Sequence, residues 1–153
     1  MYESKTSYNL KADVIIPFHS GDVKYLRECL NAVLMNYYVQ TFIHLIGDNN
    51  CELPFEVTAP NVAVYKAHER LGPYRITNAL VSQGFCKTDY LALQDADDIS
   101  LSDRLWKQLT TMQRFGYQMT SASMKQFVED TQDGCLVKRF NEENLIESGT
   151  CFY

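Results

Sequence analysis

Between residue 12 and about residue 115, short β-branched apolar runs alternate with segments whose apolar residues recur at helical spacing. This alternation is the strongest constraint on the fold, because strands joined by helical crossovers lie parallel in one sheet. Ala12-Asp-Val-Ile-Ile-Pro17 reads as a buried strand that stops at the proline, which has no N–H to donate. Phe18-His-Ser-Gly-Asp22 follows as a turn. Leu26, Cys29, Leu30, Val33 and Leu34 then recur at i, i+3, i+4, i+7 and i+8, one face of an amphipathic helix with Ser20 or Asp22 as its cap. Residues 42–46 and 62–65 read as the second and third strands, the second ending in Gly47-Asp-Asn-Asn50. Pro73 opens a helix through Ile76, Leu80 and Gln83. Residues 90–93 form a fourth strand that runs into Gln94-Asp-Ala-Asp-Asp98. Ser100-Leu-Ser-Asp103 has capping-box spacing ahead of an apolar stripe of Leu105, Leu109 and Met112. The expected fold is α/β: an open, twisted, mostly parallel sheet with helices on both faces. After Gly116, residues 119–124 and 135–137 flank a polar turn and read as a hairpin.

The chain has 153 residues, which suits one domain with a real core. Its net charge of −5 argues against a nucleic-acid polymer as partner, since phosphate pairing needs an excess of Lys and Arg. The five cysteines, Cys29, Cys51, Cys86, Cys135 and Cys151, are odd in number and form no Cys-x-x-Cys pair. They read as reduced thiols acting as small apolar residues in a cytoplasmic protein. The N-terminal segment lacks an apolar signal core, and no apolar run approaches the ~18 residues of a membrane span.

Chemistry is expected at the strand ends, because open α/β sheets bind ligands outside the carboxyl ends of their strands. Three ends are polar: Phe18-His19, Asp48-Asn49-Asn50 and Asp95-Ala96-Asp97-Asp98. Three carboxylates within four residues repel one another unless a cation neutralises them. Aspartate oxygens suit hard cations, and Mg²⁺ or Mn²⁺ is commonly held by one or two carboxylates plus substrate phosphates. The competing reading is an acidic loop that caps the next helix, a task Ser100 already fills. His44, on an apolar strand, reads as a satisfied core histidine. His68 and Arg70 read as solvated loop residues, and Trp106 as core.

The segments Ala12-Asp-Val-Ile-Ile-Pro-Phe-His-Ser, Ile46-Gly-Asp-Asn-Asn50, Tyr90-Leu-Ala-Leu-Gln-Asp-Ala-Asp-Asp98 and Ser102-Asp-Arg-Leu105 fall in order. Together they resemble the nucleotide-binding half of the inverting GT-A glycosyltransferases of family 2, over residues 12–153. The resemblance implies a GT-A fold and a metal-dependent transfer from a nucleotide-diphosphate sugar, with UDP as the expected nucleotide. It implies Asp97 as metal ligand, with Asp95 near the ribose and metal, and Asp48 on the base. Pro17, Phe18 and His19 would pack base and ribose. Arg75 and Asn78 would approach the nucleotide from the preceding helix. The turn departs from the family's Asp-Asp-Gly-Ser, and Phe18-His19 replaces the commoner Thr-Tyr.

Inverting transfer needs a base for the acceptor hydroxyl. Leu145-Ile-Glu-Ser-Gly-Thr-Cys-Phe152 resembles the family segment that carries it, which puts Glu147 near that position. A surface glutamate beside Glu142 and Glu143 is the alternative. The implied partners are a nucleotide-sugar donor and a saccharide or lipid-linked acceptor, at the cytoplasmic membrane face or in the cytoplasm, with self-association open. Two other classes fit parts of the pattern. One is a non-catalytic nucleotide-sugar-binding module; the other is a haloacid-dehalogenase-type phosphotransferase, which also places Asp-x-Asp after a strand. The expected organisation is one domain: an extension over residues 1–11, a nucleotide-binding part over 12–115, and the start of an acceptor-side part over 116–153. Family members generally continue further, so a truncated chain that binds donor with weak or no transfer is expected.

Overall fold

A computed structural model describes residues 9–132 and 135–146, with side chains described for 9–125. Its elements run β1 (Leu10–Phe18), α1 (Val23–Leu34), β2 (Val39–Gly47), β3 (Val62–Lys66), α2 (Pro73–Ser82), β4 (Leu91–Leu93), α3 (Arg104–Phe115), β5 (Met124–Gln132) and β6 (Cys135–Ile146). Contacts divide the chain into two compact units, residues 1–109 and 110–153.

In the first unit, four parallel strands form a sheet in the order β3-β2-β1-β4. β1 is covered on both faces, and Val14, Ile15 and Ile16 are all fully buried. A continuous apolar run, not an alternating one, is what a central parallel strand requires. On one face Ile15 and Ile46 pack with Ile76 and Leu80 of α2. Right-handed crossovers then assign the opposite face to α1, which buries Leu26, Cys29, Leu30 and Val33. Leu34, expected on the same stripe, is half-buried. Among the described residues, Cys29, Cys51 and Cys86 are free thiols, and no helix is long and apolar enough to cross a membrane.

Pro17 does not end its strand. It pairs with Ile46, and Phe18 continues to Gly47. Asp13 N–H and Ile15 C=O bond toward β4, so the backbone of Pro17, two residues on, points the same way. β4 pairs only as far as Ile15. The proline's missing donor therefore falls where no acceptor strand remains, and its cost is small.

Helix starts also differ from the expected caps. Asp22 occupies the N-cap position of α1, but its carboxylate accepts from the backbone N–H of His19 and caps no helix N–H. The capping box at 100–103 does not form, because α3 begins at Arg104. Ser100 instead donates its hydroxyl to the carbonyl of Leu101 (3.4 Å), and Asp103 pairs with Lys107 one turn on.

Gly47, where β2 turns, has no room for a side chain. A Cβ there would lie 1.9 Å from the carbonyl oxygen of Cys51, a backbone atom. Gly47→Ala is expected to cost about 1–3 kcal/mol by overpacking, read as a lower urea midpoint at unchanged slope. An unchanged midpoint would show that the turn relaxes freely.

In the second unit, β5 and β6 form the antiparallel hairpin, from Gln132↔Cys135 back to Met124↔Ile146. The expected first strand began at residue 119. The small residues 120–123 (Thr-Ser-Ala-Ser) lie beyond the last cross-strand pair and stay outside the ladder.

Candidate active site

The strand order places a topological switch between β1 and β4. β1 feeds α1 and β2 on one side, while β4 arrives by α2 on the other. The crevice at such a point, outside the carboxyl ends, is open for ligand. It is flanked by Pro17, Phe18 and His19 on β1 and its turn, and by residues 94–98 after β4.

The acidic loop is held from within. Gln94 is buried, and its Nε2 donates to the carbonyls of Asp95 and Asp98, each at 3.1 Å. The Cys29 thiol donates to the Asp95 carbonyl as well (3.3 Å). Burial, then the nearby charge of Asp98, pushes the Cys29 thiol up to about 12, so it stays a donor. With the backbone bound inward and Ala96 buried, Asp95 and Asp97 are left exposed and Asp98 half-buried. Burial and the charges of Asp97 and Asp22 raise the Asp95 carboxyl. Burial and the charges of Asp95 and Asp97 raise Asp98, with Arg104 opposing. These carboxylates destabilise one another's charge, and hard oxygen donors under mutual repulsion fit a divalent cation. The fit concerns chemistry and not a preformed cage. Among the described residues the ligand atoms that converge within 4.8 Å belong to Asp13, His44 and Cys86.

That second group is already satisfied. Asp13 Oδ1 lies 2.7 Å from His44 Nε2, and Oδ2 accepts from the N–H groups of Lys87 and Thr88 and from the Thr88 hydroxyl. His44 Nδ1 meets the Tyr65 hydroxyl at 3.3 Å. His44 is thus the satisfied core histidine expected of it, and the network ties β1 and β2 to the segment leading into β4.

The remaining candidates are placed unevenly. Phe18 is 1% exposed, a core residue whose ring faces Gly47, so its side chain is not on the crevice surface. His19 is exposed, and its Nδ1 accepts from the Gly21 N–H at 2.9 Å. An accepting Nδ1 puts the ring proton on Nε2. The same nitrogen lies 3.5 Å from Asp22 Oδ2. Asp48 is buried, and its two oxygens accept from the Leu71 and Gly72 N–H groups at 2.8 and 3.0 Å. Gly72 has φ +77, a conformation glycine adopts readily. His68 is more than a solvated residue: its carbonyl accepts from Asn50 Nδ2 (2.7 Å), and its Nδ1 meets Asn50 Oδ1 (3.1 Å). The turn after β2 and the loop before α2 are therefore zipped into one wall. Arg75 and Asn78 are exposed on α2, and Trp106 is half-buried on α3 beside Tyr38. Glu147 lies outside the described residues. Asp22, read from sequence only as a cap, carries a charge that raises the Asp95 carboxyl, after burial and Asp97; no linear pattern links two residues so far apart.

A crevice at the switch point, bordered by an Asp-x-Asp loop, calls for comparison with known proteins. The sequence profile "Glycosyl transferase family 2" matches residues 13–148. The chain belongs to glycosyl transferase family 2. This assignment sets aside the haloacid-dehalogenase reading. A search among curated proteins finds no match. Among solved structures, the chain is similar to S. aureus TarS 1-349, with TM-score 0.55 and 16% identity. The alignment covers 80% of this chain and 42% of that one. The family 2 chain described here thus has the GT-A fold and spans less than half the length of that neighbour.

Proposed function

We propose that this family 2 chain binds a nucleotide-diphosphate sugar, with UDP as the nucleotide, and serves inverting transfer to a saccharide or lipid-linked acceptor in polysaccharide biosynthesis. The observation that carries the reading is the acidic loop at the switch point, bound inward by Gln94 and Cys29 with Asp95 and Asp97 left exposed. Asp97, with Asp95, would hold Mg²⁺ or Mn²⁺, which when bound neutralises charge on the leaving diphosphate. Pro17, the Phe18 backbone and His19 border the nucleoside. Asp48 holds the wall formed with Leu71 and Gly72, and its spare lone pairs are the base contact. Arg75 and Asn78, exposed on α2, approach the nucleotide. Glu147 takes the proton of the acceptor hydroxyl as it attacks the anomeric carbon.

The test is calorimetric titration of UDP with and without Mn²⁺. An affinity that rises at least tenfold with the cation is expected. Cation-independent binding would sink the proposed site. Cation-dependent binding without donor hydrolysis or transfer would make the chain a nucleotide-sugar-binding module.

A further inference from the structure

Asp13, His44 and Cys86 bring a carboxylate oxygen, a ring nitrogen and a sulfur within 4.8 Å of one another. They come from β1, β2 and the segment before β4, toward the amino-terminal end of the sheet. Asp13 shares a face with Ile15 and His44 with Ile46, by strand alternation, and Cys86 packs on both isoleucines. The donor crevice lies at the opposite, carboxyl end.

The hydrogen bonds that satisfy this group are also those a metal site needs. Asp13 Oδ1 and His44 Nε2 lie 2.7 Å apart and share a proton. A nitrogen and an oxygen on tetrahedral Zn²⁺ stand roughly 3.3 Å apart, so an ion in place of that proton parts them by only roughly 0.6 Å. The other Asp13 oxygen stays fixed by the Lys87 and Thr88 N–H groups. His44 Nδ1 meets the Tyr65 hydroxyl, which both donates and accepts and so keeps its bond when the ring changes tautomer. Outer partners of this kind orient metal ligands. Carboxylate and thiolate together cancel the two charges of the ion, which lowers the cost of burying it. A cavity of about 140 Å³, walled by Phe42, Pro60, Asn61 and Phe85, borders Asp13 and His44 and has room for water. Lys87 borders it too, with its ammonium held by the Gly84 carbonyl.

We propose that Asp13 Oδ1, His44 Nε2 and Cys86 Sγ bind Zn²⁺, with water from the cavity as fourth ligand, in a structural site that clamps β1 and β2 to the segment entering β4. Mixed oxygen, nitrogen and sulfur ligands suit this borderline-soft ion and not Mg²⁺ or Mn²⁺. The thiol gives up its proton as the ion binds. The site is separate from the donor crevice, and neither reading depends on the other.

The test is Co²⁺, a spectroscopic stand-in for Zn²⁺, titrated into the whole reduced chain after chelation and desalting. One equivalent is expected to give a thiolate-to-metal charge-transfer band and the visible bands of a tetrahedral ion, both displaced by Zn²⁺. Cys86→Ser leaves the Asp13–His44 network in place and should lose the charge-transfer band and at least tenfold in affinity. Cys51→Ser should keep both. Paramagnetically shifted imidazole protons should appear, and should persist in His19→Gln and His68→Gln, the two exposed histidines, which assigns them to His44. Zn²⁺ should raise the unfolding temperature of the native chain and leave that of Cys86→Ser unchanged. The proposal is overturned if the native chain shows no thiolate band, or if the band survives Cys86→Ser and so belongs to another cysteine. It is overturned if the shifted imidazole signals are missing or vanish in either histidine variant. An unfolding temperature indifferent to Zn²⁺ would overturn the structural role.

Discussion

Asp97→Ala is expected to weaken the Mn²⁺-dependent affinity for UDP about 100-fold, or ~2.7 kcal/mol, while leaving the fold intact. Asp97 is exposed, and among the described residues its carboxylate accepts no hydrogen bond that holds the loop. The loop is fixed by its backbone, through Gln94 and Cys29. Removing the carboxylate deletes a proposed cation ligand and relieves repulsion on Asp95 and Asp98. Unfolding temperature should therefore hold or rise slightly as UDP binding fails. Parallel calorimetry and thermal melts make the check. A variant that binds UDP with the native cation dependence would remove Asp97 from the site. One that melts far lower would show that the acid is structural.

The opposite pattern is expected of Asp13→Ala, which should cost about 3–5 kcal/mol. The Asp13 carboxylate is 1% exposed and serves the Lys87 and Thr88 N–H groups, the Thr88 hydroxyl and His44. Truncation takes the acceptor from buried His44 and from the part-buried Lys87 and Thr88 N–H groups, while the Thr88 hydroxyl keeps the Tyr90 carbonyl as an acceptor. Folded domains hold only about 5–15 kcal/mol in reserve, so a large part of the stability goes, and urea unfolding measures it. A loss below ~1 kcal/mol would show that the network rearranges around alanine. The pH dependence follows from the same carboxyl. Burial alone would raise it, but the hydrogen bonds from His44, Thr88 and Lys87 outweigh that and hold it below the ordinary aspartate range. A carboxyl depressed in the folded state contributes stability above its unfolded value, about pH 3.9. That contribution is lost as pH falls through the lower folded value. The native chain should therefore lose this part of its stability only below about pH 4, and Asp13→Ala should show a flatter acid limb.

Much of the fold was legible in the linear pattern because burial on a parallel sheet imposes it locally. Residues 12–17 are apolar without alternation since both faces of β1 are covered. The i, i+3, i+4 stripe of α1 marks its one buried face. Capping was misread at Ser100 because the box spacing is necessary but not sufficient. Whether a hydroxyl meets a helix N–H depends on where the first turn begins, and here that is Arg104. The burial of Phe18 was hidden for a related reason. Strand-end position is visible in sequence, but the face a side chain takes is set by pairing, and the register with β2 turns this ring to the core.

Sequence by itself determined the strand–helix alternation, the family, and the acidic loop after the fourth strand, because each is written in residues close along the chain. Only tertiary structure decided which acids do what. Asp13 is committed to His44 and Thr88, and Asp48 to Leu71 and Gly72. Beyond burial and Asp97, the charge of Asp22 raises the Asp95 carboxyl. A carboxylate's role depends on its burial and on which donors face it. Those donors here come from elements as many as 75 residues away, a separation no local pattern encodes.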